Sequence, residues 1–268
     1  IWGGATVALY RILLAMKNRG HDVYVVTNKS EGPFLEKLDS VGIKHFEHRL
    51  SLTIYPKVKN PLKWCWRTLR LLYHIHDEKK FISKVIDIVK PDIVHTNVGP
   101  FSQAYDICKK KSVPHVWHQR EYQDLDFDMH FFPSWKVFNR KIKSMTSYNI
   151  SITKGIFEYR KLRFDRDAVI YDGVFSKQQI LRLEKNVHKE NYILFAGRVE
   201  EAKCPFDLLV AFSKFHKVYP NARLFLAGIY FEESSYYQKC KQYVESMYLS
   251  DFVSFLGPRM DIYDLMSK

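Results

Sequence analysis

Two cations stand five residues apart just beyond a short apolar run, in Phe195-Ala196-Gly197-Arg198-Val199-Glu200-Glu201-Ala202-Lys203. Arg198 offers a planar fork for phosphate oxygens and Lys203 a mobile point charge, and a helix expected from about Pro205 adds its N-terminal dipole. Such a group can grip a diphosphate. The same residues also describe a surface turn with solvated charges, and their types and spacing leave both readings open.

A second set lies in Val116-Trp117-His118-Gln119-Arg120-Glu121-Tyr122. His118 follows an expected strand at the edge where open α/β sheets bind ligands, although a lone His also serves as a hydrogen-bonded structural residue. Arg120 and Glu121 read either as a local ion pair or as acceptor-site residues. His95, closing Ile93-Val94-His95, is a further cleft candidate. The Asp-x-Asp spacing of Asp124-Leu125-Asp126-Phe127-Asp128 can hold a hard cation, but a solvated or helix-capping loop is the expected reading. His115 with His118, and His74 with His76, lack the Cys or acidic partners that a zinc set requires, so no metal is expected. No cofactor is expected either.

From Pro61 to His74 the cations Lys63, Arg67, Arg70 and His74 share one helical face, while Leu62, Trp66 and Leu69 fall mostly on another. Trp beside cations suits the headgroup region of an anionic membrane. A basic solvated face over core aromatics fits the same pattern.

These residues need a scaffold, and the hydrophobic pattern supplies an alternating one. Helical spacing over 5–19, 33–41, 101–111, 206–218, 235–247 and 261–267 alternates with apolar runs at 23–27, 44–47, 93–95, 115–117, 148–152, 169–171, 192–195, 223–227 and 253–256. A long helical stretch runs from Pro61 towards Lys90, and the pattern leaves open whether it is one helix or a broken one. Alternation of this kind implies parallel strands with right-handed crossovers. Polar residues between Val174 and Glu190 precede a fresh strand, which places a junction between domains at 1–175 and 176–268.

A length of 268 residues suits two lobes, and 46% hydrophobic with 26% charged residues describes a folded protein. The net charge of +13 attracts phosphates in nucleotides, nucleic acids or anionic lipids. Cys65, Cys108, Cys204 and Cys240 read as reduced thiols of a cytoplasmic protein. No run of about 18 apolar residues is present to span a bilayer.

The Gly197-Arg198…Lys203 segment resembles the start of the second lobe in retaining GT-B glycosyltransferases of sequence family four. The likeness continues through Ala222-Arg223-Leu224-Phe225-Leu226-Ala227-Gly228 and Val253-Ser254-Phe255-Leu256-Gly257. Upstream it includes Gly3-Gly4-Ala5, Arg19-Gly20-His21-Asp22-Val23 and the junction Ile170-Tyr171-Asp172-Gly173-Val174. The resemblance implies an α/β fold of two Rossmann-like doubly wound parallel-sheet domains facing across a cleft, the second incomplete. It implies a nucleoside-diphosphate sugar as donor and a hydroxyl acceptor, with a glycan or lipid-linked glycan of cell-surface polysaccharide synthesis expected. Transfer would proceed with retention and without metal.

On the same basis Arg198 and Lys203 hold the donor diphosphate, Gly3, Gly4, Gly197 and Gly228 line the nucleotide-sugar site, and His118 faces the donor sugar. Two positions depart from the family's pattern: Cys204 stands where Gly is usual, and Asp172 where Asn is common. Both ends look cut short, so weak donor binding and low activity are expected of the segment alone. Nucleic acid is an unlikely partner on this reading, and a sugar-nucleotide epimerase or phosphorylase is the nearest alternative, followed by a non-catalytic phosphate-binding protein.

Overall fold

Helix α1, Gly4–Asn18, forms because Leu9 and Leu13 recur on one side, and Gly20 ends it with a φ of 86°. The computed structural model describes all residues except 1–3, 29–30, 98, 176, 178–179, 182–188 and 260. Strand β1 (Tyr24–Thr27) follows, then α2 (Pro33–Ser40) with Pro at its first turn, then β2 (Lys44–Glu47), parallel to β1. Leu13, Val25, Leu35, Leu38 and Ile43 close a small core among these elements.

The long stretch is a single helix, α3, Pro61–Val89, rather than a broken one. Asn60 caps it by accepting a 3.0 Å bond from the Lys63 amide, and Pro61 occupies the first turn where its missing N–H costs nothing. Its second half buries Ile82, Val85 and Ile86, two of them in a cluster with Ala104 and Cys108 of α4 (Ser102–Lys111). Its first three turns stand exposed on nearly every side.

Strands β3 (Val94–Thr96), β4 (His115–Gln119), β5 (Ser147–Ser151) and β6 (Ala168–Val169) form one parallel sheet in that order. Helices α5 (Asp124–Phe127), α6 (Trp135–Ile142) and α7 (Lys154–Tyr159) lie between β4 and β6, where the hydrophobic pattern shows only loop. Ser134 and Thr153 cap the last two by accepting from the Val137 and Ile156 amides. Among the described residues, the six strands of this unit make two hydrogen-bonded sheets instead of the single expected one, because β1 and β3 do not pair. A cavity of about 1500 Å³ separates the two, bordered by Val25, Ile86, Val94, His95 and Asn97.

The chain divides into two compact units, Ile1–Val174 and Phe175–Lys268. In the second, β7 (Tyr192–Ala196), β8 (Arg223–Ala227) and β9 (Val253–Gly257) are parallel in sequence order. Helices α8 (Pro205–His216) and α9 (Ser235–Ser246) cover Leu224 and Leu226 with Leu209, Phe212, Cys240 and Val244, and α10 (Ile262–Ser267) follows. Alternation of strand and helix with every pairing parallel is the doubly wound α/β arrangement in both units.

Candidate active site

In the first unit, ligand-capable side chains gather where β3, β4 and β6 end. Alternation along β4 turns His115 and Trp117 towards the core and His118 to the opposite face. His115 is bonded to the Thr96 hydroxyl at 2.8 Å, and the Trp117 indole N–H donates to Ser147 Oγ at 3.1 Å. His118 meets His95 with Nδ1 3.1 Å from its partner's Nε2, the rings stacked at 5.2 Å. Beyond the strand, Arg120 donates from Nη1 to both Asp172 oxygens at 2.8 and 2.6 Å, and from Nε to Asn97 Oδ1 at 2.9 Å. Arg120 is 7% exposed and His118 3%. The carboxylate on which Arg120 is forked is therefore Asp172. Glu121, the neighbour considered for that role, lies half-buried in the loop after β4.

Sequence reasoning passed over Asn97 and treated Asp172 as a turn residue. The available signal was an acidic residue just beyond one strand of a sheet in which the strand two places away is followed by Arg. The Asp-x-Asp segment is otherwise engaged: Asp124 accepts from the Tyr159 hydroxyl at 2.6 Å, and Asp126 from the Tyr122 amide at 2.8 Å. Among the described residues, no group of three His, Cys, Asp or Glu gathers to hold a metal ion.

In the second unit, the strand ends are drawn together through backbone. The Gly197 amide donates to the Ala227 carbonyl at 2.9 Å, Gly228 to Gly257 at 2.8 Å, and Val199 to Ile229 at 3.0 Å. A Cβ at Gly228 would collide with the Gly197 carbonyl, so close backbone approach requires glycine there. A Cβ at Gly197 meets only the Phe195 ring, and one at Gly4 meets nothing within 4 Å. Gly3 lies outside the described residues.

Arg198 pairs with Glu200 at 2.8 Å and is 54% exposed. Lys203 closes a 3-10 turn, Glu201–Lys203, directly before α8. Cys204 joins the two with φ 50° and ψ 36°, the left-handed conformation that glycine adopts without strain, which explains why the family's pattern has Gly at this position.

Two family models match the chain in succession: Glycosyltransferase Family 4 over residues 2–148 and Glycosyl transferases group 1 over residues 176–268. The chain belongs to glycosyltransferase family 4. Solved structures agree in fold. A glycosyltransferase from Rickettsia africae is 18% identical with a TM-score of 0.68, over 99% of this chain and 68% of that one. HepE of Anabaena, in complex with UDP and glucose, is 18% identical with a TM-score of 0.65 over the same shares. A putative UDP-N-acetylglucosamine 2-epimerase from Listeria monocytogenes is 13% identical with a TM-score of 0.53, over 98% of this chain and 68% of that one. No curated protein sequence matches. The chain is a glycosyltransferase of the GT-B type.

Within this family 4 chain, the buried imidazoles are held neutral. Burial first, then the Arg120 charge and His95, push His118 down to about 3, with Asp172 opposing. Burial likewise takes His115 to about 3. His95 is lowered by the protein packed around it and then by Arg120. A folded value below the unfolded one means that the unfolded chain gains the proton first. Stability is therefore complete above about pH 6.5 and declines as pH falls towards 3, by up to about 1.4 kcal/mol per pH unit for each His. All 5 Trp lie in the first unit, so Trp fluorescence isolates its unfolding. Urea unfolding should show this decline, and His118→Asn should flatten its slope by about 1.4 kcal/mol per pH unit.

Proposed function

We propose that this glycosyltransferase moves a sugar from a nucleoside-diphosphate sugar to a hydroxyl of a glycan or lipid-linked glycan. The observation that carries the reading is the pairing of Arg198 and Lys203 beside the β7 end, ahead of the N-terminus of α8. Two cations and a helix dipole, set within one turn and the helix start after it, can stabilise the charge that a departing diphosphate develops, where stabilisation acts on the transition state. The bond from the anomeric carbon to the diphosphate oxygen breaks, one to the acceptor oxygen forms, and the acceptor proton passes to the departing phosphate. Attack from the leaving-group side gives retention, and no metal is required. His118 supplies a hydrogen bond to the donor sugar, while Arg120, Glu121 and His95 border the acceptor side.

UDP-bound HepE supports UDP as the probe. Titrating UDP into the 15N-labelled chain should shift the amides of Gly197 to Lys203 and the first turn of α8. Arg198→Ala and Lys203→Ala should each weaken binding by about tenfold or more, as expected for charge-assisted bonds of about 1.5–3 kcal/mol. Glu200→Gln should tighten it by up to about fivefold, since the exposed Arg198–Glu200 pair is worth at most about 1 kcal/mol. Salt-sensitive binding of an oligonucleotide with no response to UDP would favour a nucleic-acid-binding role instead.

The acceptor is proposed to lie at an anionic membrane on the cytoplasmic side, met by residues 61–74. Leu62, Trp66, Leu69 and Tyr73, at helical spacing, are each more than half exposed, so they are not core aromatics beneath a basic face. Lys63, Arg67 and Arg70 run beside them, with the Arg70 guanidinium 5.4 Å from the Trp66 ring. An apolar stripe flanked by cations is suited to lie in an anionic interface. Among the described residues no helix is long and apolar enough to cross a membrane. Vesicles containing phosphatidylglycerol should blue-shift Trp fluorescence and retain the chain on flotation, while pure phosphatidylcholine should not. Replacing Trp66 by Ser with Arg67 by Glu should abolish retention, and equal retention would refute the membrane contact.

A further inference from the structure

Which ring nitrogen of His118 carries its proton is decided by the groups around Nδ1. That atom lies 3.5 Å from Arg120 Nη2 and 3.1 Å from His95 Nε2. A guanidinium has donors only, so an N–H on Nδ1 would point one donor at another and set its dipole against a fixed positive charge. Nδ1 has to present its lone pair. Arg120 is not free to turn aside, because the two Asp172 oxygens and Asn97 Oδ1 hold three of its donor contacts. We propose that Arg120, clamped by Asp172 and Asn97, is a positioning residue that fixes His118 as the neutral imidazole protonated on Nε2.

Two consequences follow from the hydrogen-bond inventory. His95 has to be the donor in the bond between the two rings, so it also carries its proton on Nε2. His118 Nε2 is left as a buried donor without a partner among the described residues. Such an atom is a standing donor for an oxygen acceptor, a hydroxyl or phosphoryl oxygen, and not a general base. That the oxygen belongs to a sugar nucleotide rests on the function proposed above, whereas the protonation site rests on the unliganded geometry alone.

The clamp also gives Asp172 a reason to be acidic where the family commonly has Asn. An Asn has one acceptor oxygen for the guanidinium where Asp172 has two, so it neither neutralises the charge nor holds it beside the ring. With Asp172 the Arg is neutralised where it stands, and its outer nitrogen remains beside His118.

Long-range 1H–15N correlation of the histidine-labelled, unliganded chain tests the assignment without reference to any substrate. His118 should show the Nε2–H tautomer, unchanged from about pH 8 to about pH 5, well above its lowered value of about 3. Arg120→Gln should yield mixed tautomers and move the titration up, because the charge that depresses it after burial is gone. Asp172→Asn, a near-isosteric change that serves if the first variant does not fold, should also mix the tautomers by freeing the guanidinium. An Nδ1–H tautomer in the unmodified chain, or a pattern indifferent to these variants, would overturn the proposal. The UDP titration reads the second unit and fails or succeeds separately.

Discussion

A guanidinium that is 7% exposed at the end of a strand has to be neutralised in place, and Asp172 does this for Arg120 from two strands away in the sheet. Taking the guanidinium out of water costs several kcal/mol, and the Asp172 carboxylate, whose side chain remains 33% exposed, offsets that cost by accepting both Nη1 bonds. Asn97 supplies a further acceptor from β3's end. One ion pair thereby ties together the ends of β3, β4 and β6, orients the loop that leads to Gly173, and places a permanent cation beside His118. The neutral state of that imidazole, the direction of its free nitrogen and its stacking on His95 all depend on this arrangement. Without the pair, a buried Arg would be uncompensated and the ring beside it would have no fixed acceptor role.

The second unit solves the opposite problem. There the strand ends are brought together by backbone hydrogen bonds and by glycine at 228, so that side chains are excluded from the junction while Arg198 and Lys203 remain in solvent. An exposed pair such as Arg198 with Glu200 is weak and exchanges readily for phosphate. Rigidity thus resides in the buried network of the first unit, and responsiveness in the solvated cations of the second. On the function proposed above, this division matches the two needs of group transfer: a donor hydrogen bond that does not reorganise, and a charge clamp that engages when its anion arrives.

Much of the architecture was legible because it rests on apolar periodicity. Val25, Leu224 and Leu226 sit in runs that read as buried strands, and Leu13, Ile82 and Phe212 sit at helical spacing, so the doubly wound alternation followed. Helices α6 and α7 were missed for a definite reason. Each has barely two apolar residues facing the core, and its local signal is a Ser134 or Thr153 cap that periodicity does not register. The polar middle of α3 does not interrupt it, since buried Glu78 accepts from Gln103 and from the Ser51 amide. At the site, residue type and spacing left Arg198, Lys203 and His118 open between a structural and a functional reading, and only the family resemblance marked them as candidates. Asp172 and Asn97 were not legible there, since they meet Arg120 only through sheet order, at separations of 52 and 23 residues. Cys204 shows the converse: the sequence marked it as unusual, and the backbone angle supplies the cause.

The central claim is that Arg120 and Asp172 act as one unit, and a double-mutant cycle with Arg120→Ala and Asp172→Ala measures this most directly. Unfolding of the first unit by urea, followed by Trp fluorescence, gives the free energy of each variant. A coupled pair predicts an interaction energy of about 1–3 kcal/mol, with the double variant less damaged than the sum of the singles. Additivity within about 0.5 kcal/mol would show two independent residues and contradict the account.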